Sequence, residues 1–180
     1  ASLAREGFTK NPIVYRSVRM IAEAAASVPL YLLDGATEID EHPLLTLLKR
    51  PNPMQCGPDL LEQFYGHLIV AGNGYLEAVA VEGEVRELHA LRPDRMKVVP
   101  GPDGWPEAYE YAVAGQTRRF EQDAARVRPV LHMALFHPLN DHYGMSPLEP
   151  AAVGLDLHNA AGVWKKALLD NSACPSGALV

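Results

Sequence analysis

A chain of 180 residues has the length of about one domain, and 48% hydrophobic against 21% charged residues is a globular balance that excludes an intrinsically disordered chain. The net charge of −6, from 16 basic and 22 acidic residues, speaks against a protein that grips nucleic acid by its phosphates, because that grip comes from Lys and Arg displacing counterions. Fourteen Gly and fifteen Pro predict a folded chain with many breaks between short elements.

Cys56 and Cys174 stand far apart in no CxxC pattern and read as two reduced thiols. The early apolar stretch from Ile13 to Val28 carries Arg16, Arg19 and Glu23, so it is no membrane span. The chain opens on Ala1 and closes on the strand-like run Ser176 to Val180, which is expected of a piece of something longer.

In chain order, Asn11 is a good N-cap and Pro12 fits the first helical position, where no N–H is needed. Val14, Val18, Ile21, Ala25 and Val28 then form an apolar stripe, expected to meet the faces of Val130, Ala134 and Phe136 in one core. Pro29 stops this helix. Leu30 to Leu33 reads as a strand and Asp34-Gly35 as a turn. His42-Pro43 begins a short helix through Leu48, closed by Pro51-Asn52-Pro53. Gly57-Pro58-Asp59 opens a third helix with Leu61, Phe64, Tyr65, Leu68 and Ile69 on its apolar side, and Gly72-Asn73-Gly74 ends it.

The period then changes to two. Strands are expected over Tyr75 to Val81, Val85 to Leu91, Met96 to Val99, Tyr109 to Val113, Arg119-Phe120 and Val130 to Phe136, with a turn at Glu82-Gly83. Such short intervals suit antiparallel hairpins. Ser146-Pro147-Leu148-Glu149 has the form of a capping box for a last helix running to about Asp170. At ~100° per residue, Val153, Leu157, Ala160, Ala161, Trp164 and Leu168 fall on one dry arc, and Asp156, His158, Asn159, Lys165, Lys166 and Asp170 on a wet one. Helices, then a run of strands, then a helix is the α+β pattern.

Chemistry-bearing motifs are scarce. Gly72-Asn73-Gly74 follows a helix and precedes a strand, the reverse of a dinucleotide fingerprint, and there is neither a Walker A loop nor a GxSxG elbow. Cys174 has no patterned activating His. His132, His137, Asp141 and His142 lie within eleven positions, but without a helical ligand pair they read as one packed and two solvated histidines, and a metal-dependent hydrolase built on them is the lesser reading. The acidic pairs Glu107/Glu110 and Asp40/Glu41 read as surface charge. Arg118-Arg119 and Arg126/Arg128 make a weak basic cluster, either a solvated strand end or a polyanion contact. No enzyme activity, cofactor or metal is implied. The residues favour a structural or interaction protein.

Four stretches, in order, resemble the portal proteins of tailed double-stranded DNA phages, the family typified by phage Hong Kong ninety-seven. They are Asn11 to Val18 with Ala24 to Leu30; His42 to Leu45 with Lys49 to Pro53; Phe64 to Tyr75 with Leu88 to Asp94 and Val98; and Val130 to His132 with Gly144 to Glu149 and Asn171 to Gly177. The resemblance implies a non-enzymatic subunit of a ring, usually dodecameric, at one capsid vertex of a virion, assembled in the host cytoplasm. Through such a ring DNA is packaged and ejected. The implied partners are other copies of the chain, the large terminase, capsid and scaffold proteins, a head–tail adaptor and non-specifically contacted double-stranded DNA, with no membrane. Residues 1–146 would be a wing-like α+β domain, 147–171 a stem-like helix and 172–180 the start of a clip. Lys165, Lys166, Arg118 and Arg119 are the candidate DNA-channel or subunit contacts; for the two lysines, the dipole at the helix C-terminus is the plainer explanation. A different oligomeric adaptor without DNA contact is the alternative.

Overall fold

The computed structural model describes residues 3–122 and 127–171. It is an α+β chain in which helices and two small antiparallel sheets occupy separate layers. A π-helical turn, Leu3–Phe8, leads into α1, Pro12–Ala26. Asn11 caps α1 as its sequence predicts: its carboxamide oxygen accepts from the N–H groups of Ile13 and Val14. Helix α2 spans Pro43–Lys49, with His42 Nδ1 accepting from the N–H of Leu44. Helix α3 spans Gly57–Ala71 and ends on Gly72, whose φ of 73° is the left-handed C-cap that favours glycine.

The helical layer is α1 packed along α3. Val14, Val18, Ala22 and Ala26 of α1 are buried, as are Leu60, Phe64 and Leu68 of α3. This shifts the expected stripe by one position. Ile21 is 51% exposed and Val28 also faces outward, while Ala22 and Ala26 lie inside. The apolar residues of α1 cover more than one face, so periodicity alone chose the wrong arc: α3 approaches the side that carries the alanines, where small side chains let two helices come close. The stripe thus packs on α3, and Phe136, expected opposite it, is exposed.

Two three-stranded sheets follow. In the first, β3 (Asn73–Val81) lies between β4 (Glu84–Leu91) and β8 (Val130–Ala134). In the second, β6 (Pro106–Val113) lies between β5 (Met96–Pro100) and β7 (Gln116–Glu121). All pairings are antiparallel. The hairpins turn on Glu82-Gly83 and Ala114-Gly115, where both residues of each pair have positive φ, matching the right-handed twist of the strands. Tyr75, Leu91 and Val130 from the first sheet meet Met96, Val98, Tyr109 and Phe120 from the second in one apolar cluster. The helical and sheet layers join at Gly74, where an added Cβ would lie 2.6 Å from the Phe64 ring of α3.

Between α1 and α2 the predicted strand over Leu30 to Leu33 shrinks to a ribbon of β1, Leu33–Asp34, and β2, Thr37–Glu38. Leu30, Tyr31 and Leu33 stay exposed, because no sheet lies beside them.

The last helix, α4, spans Ala152–Asp170 and starts later than its sequence suggests. The capping-box reading is overturned. Ser146 is buried, its hydroxyl donates to the carbonyl of Ile69 in α3 at 2.8 Å, and it accepts from the N–H of Leu148. Pro150 withholds a donor from the opening turn, so residues 147–151 form three-residue turns before the regular helix begins.

Three stability measurements test this packing. Leu60→Ala in α3 is expected to cost about 2–5 kcal/mol in denaturant unfolding. Ile21→Ala is expected to fall within about 0.5 kcal/mol of the parent, as exposed positions do. Ser146→Ala should cost about 1–3 kcal/mol, because the Ile69 carbonyl and the Leu148 N–H would each lose the bond that the buried hydroxyl makes.

Candidate functional site

The polar interior is concentrated where α3 hands over to β3. Asn73, buried behind the Gly72 cap, makes four hydrogen bonds. Its Nδ2 donates to the carbonyls of Ala71 and Gly144, and its Oδ1 accepts from the N–H of Gly144 at 2.8 Å and from His132 Nε2 at 3.0 Å. With both amide hydrogens used on carbonyls, Asn73 offers only an acceptor to His132, so His132 carries its proton on Nε2. Its Nδ1 is then free to accept from the Tyr109 hydroxyl, 3.4 Å away. The His132 ring stacks on Tyr75 at 4.2 Å between centroids and meets Tyr109 edge-on.

Burial, reinforced by nearby His142, pushes the His132 pKa down from 6.5 to about 4. The expected packed histidine is therefore a neutral structural group holding two tyrosines and Asn73. Asp141 and His142 lie in the loop beyond it, where Asn140 Oδ1 accepts from the N–H of His142, and His137 Nδ1 accepts from the N–H of Leu139. Among the described residues no three His, Cys, Asp or Glu side chains form a group able to hold a metal.

The candidate contact residues separate into two groups. Arg118 of β7 pairs with Glu77 of β3 at 2.7 Å, bridging the two sheets, and its guanidinium lies 4.5 Å over the Phe120 ring. Arg119 is surrounded by Glu107, Glu110 and Glu121. Both arginines are thus committed to carboxylates of the sheet layer. Lys165 and Lys166 lie together, exposed, on α4, where Lys166 pairs with Asp170 one turn on. Arg126 of the weak basic cluster lies outside the described residues, as do Cys174 and the predicted clip start at 172–180.

Sequence reasoning missed the role of Asn73, although Gly72-Asn73-Gly74 marked the place. It also missed Asn11 as more than a cap. Asn11 Nδ2 donates to His158 Nδ1 and to Asn159 Oδ1 of α4, while Asn159 Nδ2 donates to the carbonyl of Glu6. Helix α4 therefore docks through His158 and Asn159, which lie on the arc expected to be wet. An open cleft of about 880 Å³ runs between the π-helical turn, α1, α3 and the 3₁₀ turn Pro93–Arg95. Its walls mix Arg19, Glu62, Arg92 and Asp94 in opposite-charge pairs.

These features build a hydrogen-bonded and ion-paired scaffold. The family model described as phage portal protein matches residues 12–180, so the chain belongs to the phage portal protein family. It is 54% identical, with a TM-score of 0.91, to a chain in the neck of an empty GTA particle computed with C6 symmetry, covering 98% of this chain and 48% of that one. It is 51% identical, with a TM-score of 0.86, to a chain in the neck of a native GTA particle computed with C12 symmetry, over 99% of this chain and 47% of that one. A chain of the virion of a native gene transfer agent particle matches equally well, at 51% identity and a TM-score of 0.86, over 99% and 47% of the two chains. Uncharacterized proteins of Rickettsia bellii and Rickettsia felis are 35% and 36% identical over 97% of this chain and 46% of theirs. The chain spans about half the length of the relatives it matches.

The neutral burial of His132 sets a pH dependence. Unfolding restores its ordinary affinity for a proton, so the unfolded state binds more protons between pH 6.5 and about 4. Stability is expected to fall as pH drops through that window. His132→Gln, which keeps hydrogen-bonding capacity but does not titrate there, should flatten that part of a stability-against-pH profile relative to the parent.

Proposed function

We propose that this chain is the body of one subunit of a portal ring, the conduit at a capsid vertex through which double-stranded DNA is packaged and ejected. The observation that carries the reading is the family match across residues 12–180, joined to close structural likeness with chains from particle necks of C6 and C12 symmetry. In this reading residues 1–146 form the wing, 147–171 the stem-like helix, with α4 as its regular part, and 172–180 the start of the clip. The subunit works in the virion after assembly in the host cytoplasm. Its partners are further copies in a ring, the large terminase, capsid or scaffold proteins and a head–tail adaptor.

A conduit must let DNA slide. The net charge of −6 and the engagement of Arg118 and Arg119 by carboxylates support weak contact with phosphate. Of the four candidate contacts, Lys165 is the cation without an ion-pair partner among the described residues, and Lys166 shares its charge with Asp170. Contact beyond the subunit, with the channel or a neighbouring copy, is therefore assigned to α4 in this reading, and Arg118 and Arg119 to the wing.

Native mass spectrometry with electron microscopy of the purified protein tests the ring. A closed cyclic oligomer is expected of a protein of the relatives' full length that carries this chain, and such a protein that stays monomeric at every concentration would overturn the assignment. Binding to a short duplex at physiological salt should be weaker than about 10⁻⁶ M and indifferent to sequence, whereas tighter or sequence-selective binding would mark a DNA-reading protein.

A further inference from the structure

Helix α4 sits on the body with its amphipathic character reversed. It touches the body through Leu155, His158 and Asn159, with Leu155 against Gly7 and the polar pair against Asn11 and Glu6. At ~100° per residue, Val153, Leu157, Ala161 and Trp164 lie roughly on the opposite side, pointing away from the body. Trp164 is 65% exposed, and no residue of α4 is buried. A contiguous outward apolar stripe on a helix is the mark of an interface.

A second surface is equally unpartnered. The arm from Val28 to Glu41 exposes Leu30, Tyr31 and Leu33, and its β1–β2 ribbon pairs only with itself. Two-stranded ribbons are marginal alone in water and need a supporting surface. The arm carries Asp34, Glu38, Asp40 and Glu41 and no Lys or Arg, and none of the four has an ion-pair partner among the described residues. Lys165, which flanks the apolar stripe of α4, is likewise unpaired among them.

We infer that the arm of one copy lies on the outward face of α4 of the next copy, with Leu30, Tyr31 and Leu33 covering Leu157 and Trp164 and the acidic ribbon beside Lys165. This rests on the ring proposed above. Head-to-tail closure requires two different, complementary patches on each copy, and arm and helix are such a pair. Each contributes exposed apolar area, and the acidic arm, which has no Lys or Arg, complements the unpaired Lys165. The occupant of both surfaces is thus a second copy of this chain.

Disulfide trapping tests the contact. In a Cys56→Ser, Cys174→Ser background, Tyr31→Cys and Trp164→Cys proteins are prepared separately and then mixed under mild oxidation. Both positions are exposed, so neither change disturbs the core. A covalent dimer is expected in the mixture and far less in either protein alone, with mass spectrometry locating the link between positions 31 and 164. The double variant should give a ladder of larger species. Adding Lys165→Glu should lower the yield several-fold, and Asp34→Lys with Glu38→Lys on the partner should recover it. Cyclic oligomers that form without the 31–164 link, or self-linking of single variants as efficient as the mixture, overturn this interface and leave the ring standing. An unchanged yield with Lys165→Glu overturns the charge pairing, and a chain that never associates overturns the interface.

Discussion

Everything beyond the hairpins hangs on the place where two backbones nearly touch. A Cβ at Gly72 would lie 2.4 Å from the carbonyl oxygen of Gly144, and one at Gly144 would lie 2.0 Å from that of Gly72. Only hydrogen fits at either position. Across this gap the N–H of Leu135 donates to the Gly72 carbonyl, and Asn73 secures Gly144 from both sides. A buried carboxamide with all its hydrogen bonds made is worth having, whereas the same group half-satisfied would be a liability. The junction returns the chain from β8 to the end of α3, lets Ser146 reach Ile69, and so decides where α4 begins.

This local geometry carries over to function through rigidity. Two sheets share a core, a cross-sheet Glu77–Arg118 pair binds their faces, and α3 presses Phe64 against β3. Helix α4, in contrast, is attached by a few polar contacts around Asn11. In the proposed ring, a firm body with α4 joined to it through hydrogen bonds would let neighbouring copies set the helix position without breaking a packed core.

Much of the architecture was legible from residues alone. Asn11-Pro12, Gly72 and Glu82-Gly83 mark their boundaries because a cap, a left-handed residue and a tight hairpin each demand particular side chains. The strands were legible from their period of two. The errors share a cause. Ile21, Val28, Leu30 and Val153 are apolar residues for which this chain alone offers no cover, and hydrophobicity was read as burial. Ser146 has the pattern of a cap, but Pro150 spoils the first turn and the α3 carbonyl competes for its hydroxyl. From sequence Asn73 reads only as part of the helix-ending Gly72-Asn73-Gly74, because its real partners, Gly144 and His132, are about 60–70 positions away, beyond any local pattern.

That distance has a kinetic side. The β3–β4 and β6–β7 hairpins each close over two residues and can form within microseconds. Strand β8 must find β3 across a separation of more than fifty positions, the costliest loop closure in the sheet layer. During synthesis α1, α2, α3 and the first hairpin therefore emerge and organise while one edge of β3 stands open. The Asn73 junction can seal that edge only after Gly144 has left the ribosome, so until then the growing chain exposes a template for pairing with other strands. Crowded polysomes expressing this chain would bring many such edges together before any copy is fully folded.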